Sequence, residues 1–322
     1  MQIRILSAAD LRAAVDMPAA IEAMRAAFGA LASGEVTVPL RLGLETPHGV
    51  TLFMPAYSRR DDAASAKVVS VNAGNIGRGL PAIHAVVLVI DPPTGRVRAL
   101  MDGTWLTALR TGAVGGLAAD LLARPEAHVV ALFGAGVQAR TQLEAVRAVR
   151  DVTEVRVVSR GGASADVLVA ELDGVAARRV DDPREALRGA DVVIAATTSA
   201  MPVFDGADVE RGAHVTGVGS YTTTMREVDA ALVARARVVV DQREAALAEA
   251  GDIVGAIRDG AVDESVLSAE LGEIVLGRAQ GRTSPDEITF FKSVGNAVQD
   301  LAVATRALER AEAANLGVLV DL

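Results

Sequence analysis

The feature that most constrains how this chain can fold is an apolar run that leads directly into a glycine-rich turn and then into a helical pattern. Val129–Phe133 is the apolar run, and Gly134-Ala135-Gly136-Val137-Gln138-Ala139 follows it in a Gly-x-Gly-x-x-Ala arrangement. The first glycine permits a sharp turn, the second lets backbone amides approach a diphosphate, and the alanine allows close strand–helix packing. The amides and dipole of the next helix hold the anion. Residues 134–138 are therefore predicted to bind a dinucleotide; the alternative is a glycine turn without a ligand.

Apolar runs of strand and helix character alternate around this turn at the spacing of βαβ units. The helical run Leu106–Leu122 comes first. The runs that follow are His128–Phe133, Gln138–Arg147, Glu154–Ser159, Ala163–Leu172, Pro183–Leu187, Val192–Ala196, Val215–Val218 and Val238–Val240. This alternation predicts an α/β fold, with a doubly wound Rossmann domain over residues 116–296.

The two ends of the chain carry a different pattern. A helical run, Leu11–Ala32, precedes short strand-like runs separated by Gly and Pro, and a second helix is predicted over Glu287–Ala314. The strand-like runs are Val36–Leu44, Val50–Met54, Ala66–Val71, Ala82–Ile90 and Val97–Met101. We expect the last helix to return to this N-terminal sheet. Residues 1–115 and 297–322 then form a second, α+β domain that binds the substrate.

The composition excludes several classes of partner. The formal net charge is -9 without a block of Lys or Arg, which argues against nucleic acid. There are no cysteines, so disulfides and thiolate catalysis are excluded, and the four histidines are too scattered to predict a metal site. His84, in an apolar run, is expected to be buried. The start of the chain lacks a signal-peptide pattern, and no uncharged stretch reaches the roughly 18 residues of a membrane span. We therefore expect no membrane partner and a cytoplasmic location.

The choice of dinucleotide depends on the end of the second Rossmann strand. The run Val155–Val158 ends at Ser159-Arg160. An acid there would bind the ribose 2′-hydroxyl, whereas an arginine accommodates a 2′-phosphate. The sequence therefore favours NADP(H) as the cofactor, bound in part by Ser159 and Arg160. If Arg160 is only a solvated charge, NAD(H) serves as well.

A set of motifs, taken in order along the chain, resembles one enzyme family. The motifs are Leu52-Phe53-Met54-Pro55-Ala56, Ala66-Lys67-Val68-Val69-Ser70-Val71-Asn72, Gly79-Leu80-Pro81, Asp102-Gly103, Leu106-Thr107-Ala108-Leu109-Arg110-Thr111-Gly112-Ala113, Gly134-Ala135-Gly136, Gly219-Ser220, Glu227-Val228-Asp229 and Phe291-Lys292-Ser293-Val294-Gly295. Over nearly its whole length the chain resembles the ornithine cyclodeaminase/mu-crystallin family. The resemblance implies a Rossmann domain plus a substrate domain built from both chain ends, and a homodimer formed through the latter. Members include ornithine and lysine cyclodeaminases, alanine dehydrogenases, ketimine and imino-acid reductases, and NADPH-dependent hormone-binding crystallins.

The resemblance also implies roles for individual residues. It places Arg41, Lys67 and Arg110 around the substrate, where guanidinium groups suit a carboxylate because they bind it in a forked, bidentate manner. It assigns cofactor contacts to Arg110, Thr111, Val218, Gly219, Ser293 and Gly295. Lys67 lies in an apolar run that would lower its pKa, so we expect it to transfer a proton. The alternatives are an edge charge for Lys67 and a structural ion pair between Arg110 and Asp102 or Asp120.

Two departures from the cyclodeaminase pattern shape the predicted reaction. Leu52 and Tyr221 stand where cyclodeaminases carry acids, and a tyrosine with a usual pKa of about 10 is no carboxylate base. Tyr221 is predicted instead to donate a proton or a hydrogen bond during imine reduction; the alternative is a packing role. The sequence thus predicts NAD(P)H-dependent reduction of a small carboxylated imine, whose reverse is amino-acid dehydrogenation as in alanine dehydrogenase. The alternatives are an ornithine or lysine cyclodeaminase with catalytic NAD and a non-catalytic, NADPH-dependent binding protein of the crystallin type.

Overall fold

The structure of the chain is a computed structural model that describes residues 2–322, except the side chain of Ile76. The elements of the first part are β1 (Gln2–Leu6), α1 (Ala8–Ala14), α2 (Met17–Ala32), β2 (Val36–Thr37), β3 (Leu42–Thr46), β4 (Gly49–Ser58), β5 (Ala63–Val71), β6 (Ile83–Asp91), β7 (Arg96–Asp102) and α3 (Gly103–Leu122). Those of the remainder are β8 (Val129–Phe133), α4 (Val137–Val149), β9 (Glu154–Val158), α5 (Ala163–Glu171), β10 (Ala176–Arg179), α6 (Pro183–Leu187), β11 (Val192–Ala195), β12 (His214–Gly217), α7 (Ala230–Arg235), β13 (Arg237–Val240), α8 (Arg243–Glu249), α9 (Gly251–Arg258), β14 (Leu267–Glu270), α10 (Leu271–Val275), β15 (Thr289–Lys292), α11 (Ala297–Ala314) and β16 (Val318–Asp321).

These elements form two compact units, one of Met1–Arg110 with Asn296–Leu322 and one of Thr111–Gly295. The second unit contains an eight-stranded, all-parallel sheet in the order β10-β9-β8-β11-β12-β15-β13-β14. Its first six strands have the order of a Rossmann fold. Strands β9 and β10 are added on one side of β8, and β11, β12 and β15 on the other, so the strand order changes side between β8 and β11. The predicted α/β Rossmann fold is thereby confirmed.

The first unit is built on a mixed sheet, as the pattern of the chain ends predicts. Its order is β16-β1-β7-β6-β5-β4-β2, with β3 paired to β4. Helix α11 lies on one face, where Ala297 and Leu301 pack against Met54, Ala56 and Val69. The predicted return of the last helix to the N-terminal sheet is confirmed. Among residues 2–322, no helix combines the length and the apolar character needed to cross a membrane.

The helix predicted over Glu287–Ala314 is wrong in its first ten residues. Thr289–Lys292 is instead a central strand, paired on both sides, and Phe290 and Phe291 are fully buried. A strand buried on both faces is a continuous apolar run, and periodicity alone does not separate it from a buried helix. The helix begins only at Ala297, where the Asn296 side chain accepts a hydrogen bond from the amide of Val298.

Three smaller predictions also need correction. The single helix predicted over Leu11–Ala32 is two helices, because Asp16 caps a new one in which Pro18 occupies the first turn. The run Val36–Leu44 is interrupted at Pro39, which cannot donate a ladder hydrogen bond, and so divides into β2 and β3. His84 is exposed rather than buried, because it points to the sheet face opposite α11.

Candidate active site

Two cationic side chains and one carboxylate meet between α11 and the sheet of the first unit. Lys67 lies at the middle of β5, an interior strand, and its side chain points to α11 with only 1% exposure. Its Nζ lies 2.7 Å from Oδ2 of Asp300, and Nε of Arg110 lies 3.3 Å from Oδ1 of the same carboxylate. Nη1 of Arg110 also donates to the side-chain oxygen of Gln299 at 2.6 Å. We call Lys67, Arg110 and Asp300 the buried triad.

The electrostatics of the triad suit Lys67 to proton transfer. Burial and the positive charges of Arg110 and Arg41 together lower the pKa of Lys67 to about 8, although the carboxylate of Asp300 acts in the opposite direction. A lysine with this pKa exchanges its proton close to physiological pH, unlike an exposed lysine near 10.4. The alternative of an edge charge is excluded, because β5 is paired on both sides and the side chain is buried.

The structure gives Arg110 a different partner from the two considered in the sequence. Asp102 accepts a hydrogen bond from the amide of Trp105 at the start of α3, and Asp120 pairs with Arg150. Neither pairs with Arg110, whose partners are Asp300 and Gln299. Arg41 lies half-buried between β2 and β3, where its charge contributes to the pKa of Lys67.

Asp300 is the member of the buried triad that the sequence motifs did not indicate. Along α11 the buried positions 297, 301, 304 and 308 recur at helical spacing, and Asp300 falls within this face. A buried carboxylate is costly unless it is paired. An acid on the apolar face of a helix was therefore a signal that a buried cation faces it.

The predicted dinucleotide turn has the geometry that a diphosphate requires. Gly134 has φ +109°, and a Cβ there would lie 2.4 Å from the carbonyl oxygen of Ala196. Gly136 is the N-cap of α4, has no atom within 4 Å of where its Cβ would be, and leaves the helix without a side-chain cap. Val137 is 61% exposed beside it. Open amides at the start of a long helix, with no acid in its first turn, fit an anionic ligand.

Thr111 and Gln138 lie close to this turn. The Gln142 side chain, on α4, donates to the carbonyl oxygen of Thr111 at 2.6 Å, and a Cβ on Gly112 would lie 2.6 Å from the carbonyl oxygen of Thr141. Helix α3 therefore lies directly against the first turns of α4. The side-chain oxygen of Gln138 is buried without a hydrogen-bond partner.

The remaining predicted cofactor residues follow the carboxyl ends of other strands. Ser159 and Arg160 come directly after β9, and Arg160 is exposed. Val218 and Gly219 follow β12, and half-buried Tyr221 comes two residues later. After β15, the Ser293 hydroxyl and the Gly295 amide both donate to Oδ2 of Asp241 at 2.8 Å.

The side chains that could bind a metal ion are dispersed in the part of the chain that the structure describes. Within residues 2–322, no three His, Asp or Glu side chains come together in a way that would hold a metal ion. His214, the fully buried histidine, forms hydrogen bonds with Thr289 and Thr216, and burial lowers its pKa to about 3. It is a neutral structural side chain.

Comparison with known proteins gives one consistent result. The model of the "Ornithine cyclodeaminase/mu-crystallin family" matches residues 1–315. The Delta(1)-pyrroline-2-carboxylate reductase of Bacillus cereus is 35% identical over 323 residues, which cover 98% of this chain and 99% of that protein.

Two solved structures have the same fold over almost their whole lengths. The Delta(1)-pyrroline-2-carboxylate reductase of Thermococcus litoralis, in complex with NADH and L-proline, is 39% identical with a TM-score of 0.96, and the match covers 98% of this chain and 99% of that one. An archaeal alanine dehydrogenase dimer with bound NAD is 35% identical with a TM-score of 0.95, and the match covers both chains completely.

Proposed function

The chain belongs to the ornithine cyclodeaminase/mu-crystallin family, and we propose that it reduces a small imine carrying a carboxylate, at the expense of NAD(P)H. The coarser conclusion, an NAD(P)-dependent oxidoreductase that acts on CH–NH or CH–NH2 groups, follows from the relatives. The buried triad is the observation that carries the finer one. It supplies a buried cluster with excess positive charge and a lysine whose pKa suits proton transfer, and the proposed reaction requires both.

The charge of the triad favours a carboxylate ligand. Lys67 and Arg110 together carry two positive charges, and Asp300 balances one of them. The uncompensated charge is buried, and Arg41 adds a further cation nearby. A substrate carboxylate would neutralise this excess, and Arg110 and Arg41 would hold it through charge-assisted hydrogen bonds.

Lys67 would then act as the general acid of the reaction. A reduced dinucleotide whose diphosphate is held at the Gly134–Gly136 turn would supply the hydride for the imine carbon. The imine nitrogen takes up a proton as it becomes an amine, and the Lys67 ammonium donates it. Asp300 acts as a positioning residue, because it holds the Lys67 amine and raises its pKa. We assign Tyr221 the supporting role of a hydrogen-bond donor.

Leu52 favours a reductase over a cyclodeaminase. It lies on the same sheet face as Lys67, since it is paired with Val69 and is two residues from Met54, the partner of Lys67. An apolar side chain at this position provides no base to steer a ring-closing amine. We therefore propose a substrate with a small apolar side chain, either a cyclic imino acid or an imine formed from a 2-oxo acid and an amine.

The assay that tests this function measures oxidation of NADPH and of NADH by the purified protein. Cyclic imino acids are offered in one series, and 2-oxo acids with ammonia or methylamine in another. Oxidation that requires the imine is the expected result. Ammonia release from ornithine or lysine, without net change of the cofactor, would show a cyclodeaminase instead.

We propose NADP(H) as the preferred cofactor, with Arg160 as the group that contacts the 2′-phosphate. Replacing Arg160 with aspartate should weaken NADPH binding about tenfold or more, because a charge-assisted hydrogen bond worth about 1.5–3 kcal/mol is lost and a repulsion is added. NADH binding should change little or improve. Titration of both cofactors into both proteins measures this. An unaltered ratio of NADPH to NADH affinity would show that Arg160 does not determine the cofactor preference. The two solved relatives are bound to NADH and to NAD, so the preference for NADP(H) needs this direct test.

We also propose a homodimer formed through the sheet face opposite α11. This face exposes apolar side chains from neighbouring strands: Leu42, Leu44, Phe53 and Val86. Replacing Leu42 and Leu44, which are 68% and 56% exposed, with aspartate should give a monomer, because two charges cannot be buried unpaired at an interface. Sedimentation velocity measures the change, with Val167→Asp on α5 as a control at an equally exposed position. A double variant that sediments like the wild-type dimer would place the interface elsewhere.

A further inference from the structure

A fully buried carboxylate, Glu227, joins the ends of two neighbouring strands in the second unit. Its Oε1 accepts hydrogen bonds from the amide and the hydroxyl of Thr197, which follows β11, at 2.5 and 2.9 Å. Its Oε2 accepts from the amides of Gly219 and Ser220, which follow β12, at 2.6 and 3.1 Å. Every polar contact of the carboxylate is therefore with a donor.

The two strand ends are packed tightly around this carboxylate. A Cβ on Gly219 would lie 1.9 Å from the carbonyl oxygen of Thr197 and 2.5 Å from Oε1 of Glu227. Only a glycine fits there, and the path of the chain after β12 is set by its hydrogen bond to Glu227. The side chain thus fixes the relative positions of the ends of β11 and β12.

Two other buried charges hold Glu227 in place. Oδ1 of Asp252, on α9, accepts hydrogen bonds from the amides of Glu227 and Val228 at 2.6 and 3.0 Å. Its Oδ2 lies 2.8 Å from Nζ of Lys292, on β15. All three side chains are essentially inaccessible. The group carries one net negative charge when Glu227 is ionised.

The charge state of Glu227 changes near neutral pH. Burial, with a contribution from the negative charge of Asp252, raises the pKa of Glu227 to about 7 against the opposing effects of Lys292 and of the hydrogen bonds from Thr197. Of the four groups that face the carboxylate, only the Thr197 hydroxyl could accept its proton, because the other three are the backbone amides of Thr197, Gly219 and Ser220. A neutral carboxyl is a weaker acceptor than a carboxylate, so protonation weakens the amide hydrogen bonds that join the two strand ends.

The strand order indicates which half of a dinucleotide would lie over this group. The glycine turn after β8 fits the diphosphate, and the end of β9 reads the adenosine ribose. The nicotinamide half then falls on the other side of the turn, at the ends of β11 and β12. Contact between Gly134 and the carbonyl of Ala196 links the turn to the end of β11 directly.

We propose that Glu227 is a positioning residue for the nicotinamide half of the cofactor, and that tight dinucleotide binding requires its ionised form. The proposal rests on the dinucleotide binding proposed above. It assigns a role to the Glu227-Val228-Asp229 motif, which the substrate chemistry leaves unused.

The test is a set of binding titrations that need no turnover. NADPH and NADH are titrated by nicotinamide fluorescence on both sides of pH 7, and 2′,5′-ADP and ADP, which lack the nicotinamide, are titrated by calorimetry. For the wild type, dinucleotide affinity should fall as the pH drops, by about tenfold at one pH unit below the pKa, because only the ionised fraction binds well. The adenosine-side probes should show no such fall.

The variant Glu227→Gln removes the charge while keeping the shape. It should bind dinucleotides more than tenfold more weakly than the wild type above pH 7, with no further loss below it, and should bind the ADP probes as the wild type does. Glu244→Gln, an exposed carboxylate of the same unit, is the matched control and should leave all titrations unchanged.

Three results would overturn the proposal. Equal loss of dinucleotide and ADP-probe binding would show that Glu227 only stabilises the domain. Wild-type affinity that does not vary through pH 7 would show that its charge is irrelevant, and this measurement does not depend on the variant folding. A wild type that binds no dinucleotide would overturn the proposed function as well, whereas the first two results leave that function standing.

Discussion

Replacing Lys67 with methionine is expected to lower kcat for imine reduction by about a hundredfold to ten-thousandfold, the usual contribution of a general acid. Methionine keeps the length and the apolar stem of the side chain, so the sheet face under α11 should stay filled. The proton donor is lost, and the substrate nitrogen must take its proton from water. Dinucleotide binding should change by less than about twofold, because Lys67 belongs to the first unit and the glycine turn to the second.

Steady-state kinetics and fluorescence titration measure both effects on one preparation. Ser65→Ala is the matched control, because Ser65 is buried two residues away on the same face of β5. It should leave kcat within about twofold of the wild type. Turnover by Lys67→Met at the wild-type rate would remove the lysine from the mechanism.

Replacing Asp300 with asparagine should have the largest effect on stability. It leaves Lys67 and Arg110 buried without their anion, and breaking a buried pair in this way costs about 3–5 kcal/mol. Urea unfolding measures the loss. Asp321→Asn, an exposed aspartate of the same unit, is the control and should unfold like the wild type.

The same variant should also shift the pH dependence of the reaction. For the wild type, kcat/KM should fall above about pH 8, because the Lys67 amine loses the proton that it must donate. Asp300 raises the pKa of Lys67, so its removal lowers that pKa and moves the fall in kcat/KM to lower pH. If Asp300 were purely structural, its replacement would lower stability without shifting the pH at which kcat/KM falls. That result would contradict its role as a positioning residue.

Parts of the fold that depend on local chemistry could be predicted from the sequence. The strand, the glycine turn and the helix at 129–149 are consecutive, and the local sequence alone indicates each of them. The apolar run around Lys67 likewise predicted a lysine with a lowered pKa, since desolvation disfavours its charged form. The structure contains both features.

Features that depend on contacts between residues far apart in the sequence could not be predicted in the same way. Asp300 lies more than two hundred residues from Lys67 along the chain, and the approach of α11 to β5 brings them together. The strand Thr289–Lys292 was mistaken for helix because its environment, two neighbouring strands and a largely aliphatic core, decides its state. Glu227 is a similar case, because its partners come from β11, β12, α9 and β15, and the sequence shows only the motif.

The most direct test of the central claim is to follow the transferred hydrogen. The protein is incubated with a cyclic imino acid such as pyrroline-2-carboxylate and with NADPH or NADH that carries deuterium on the transferring face of C4. Mass spectrometry and NMR of the product then locate the label. We expect one deuterium on the carbon that bears the carboxylate, in an amount equal to the cofactor oxidised. An amino-acid product without deuterium at that carbon, or no oxidation of either cofactor, would contradict it.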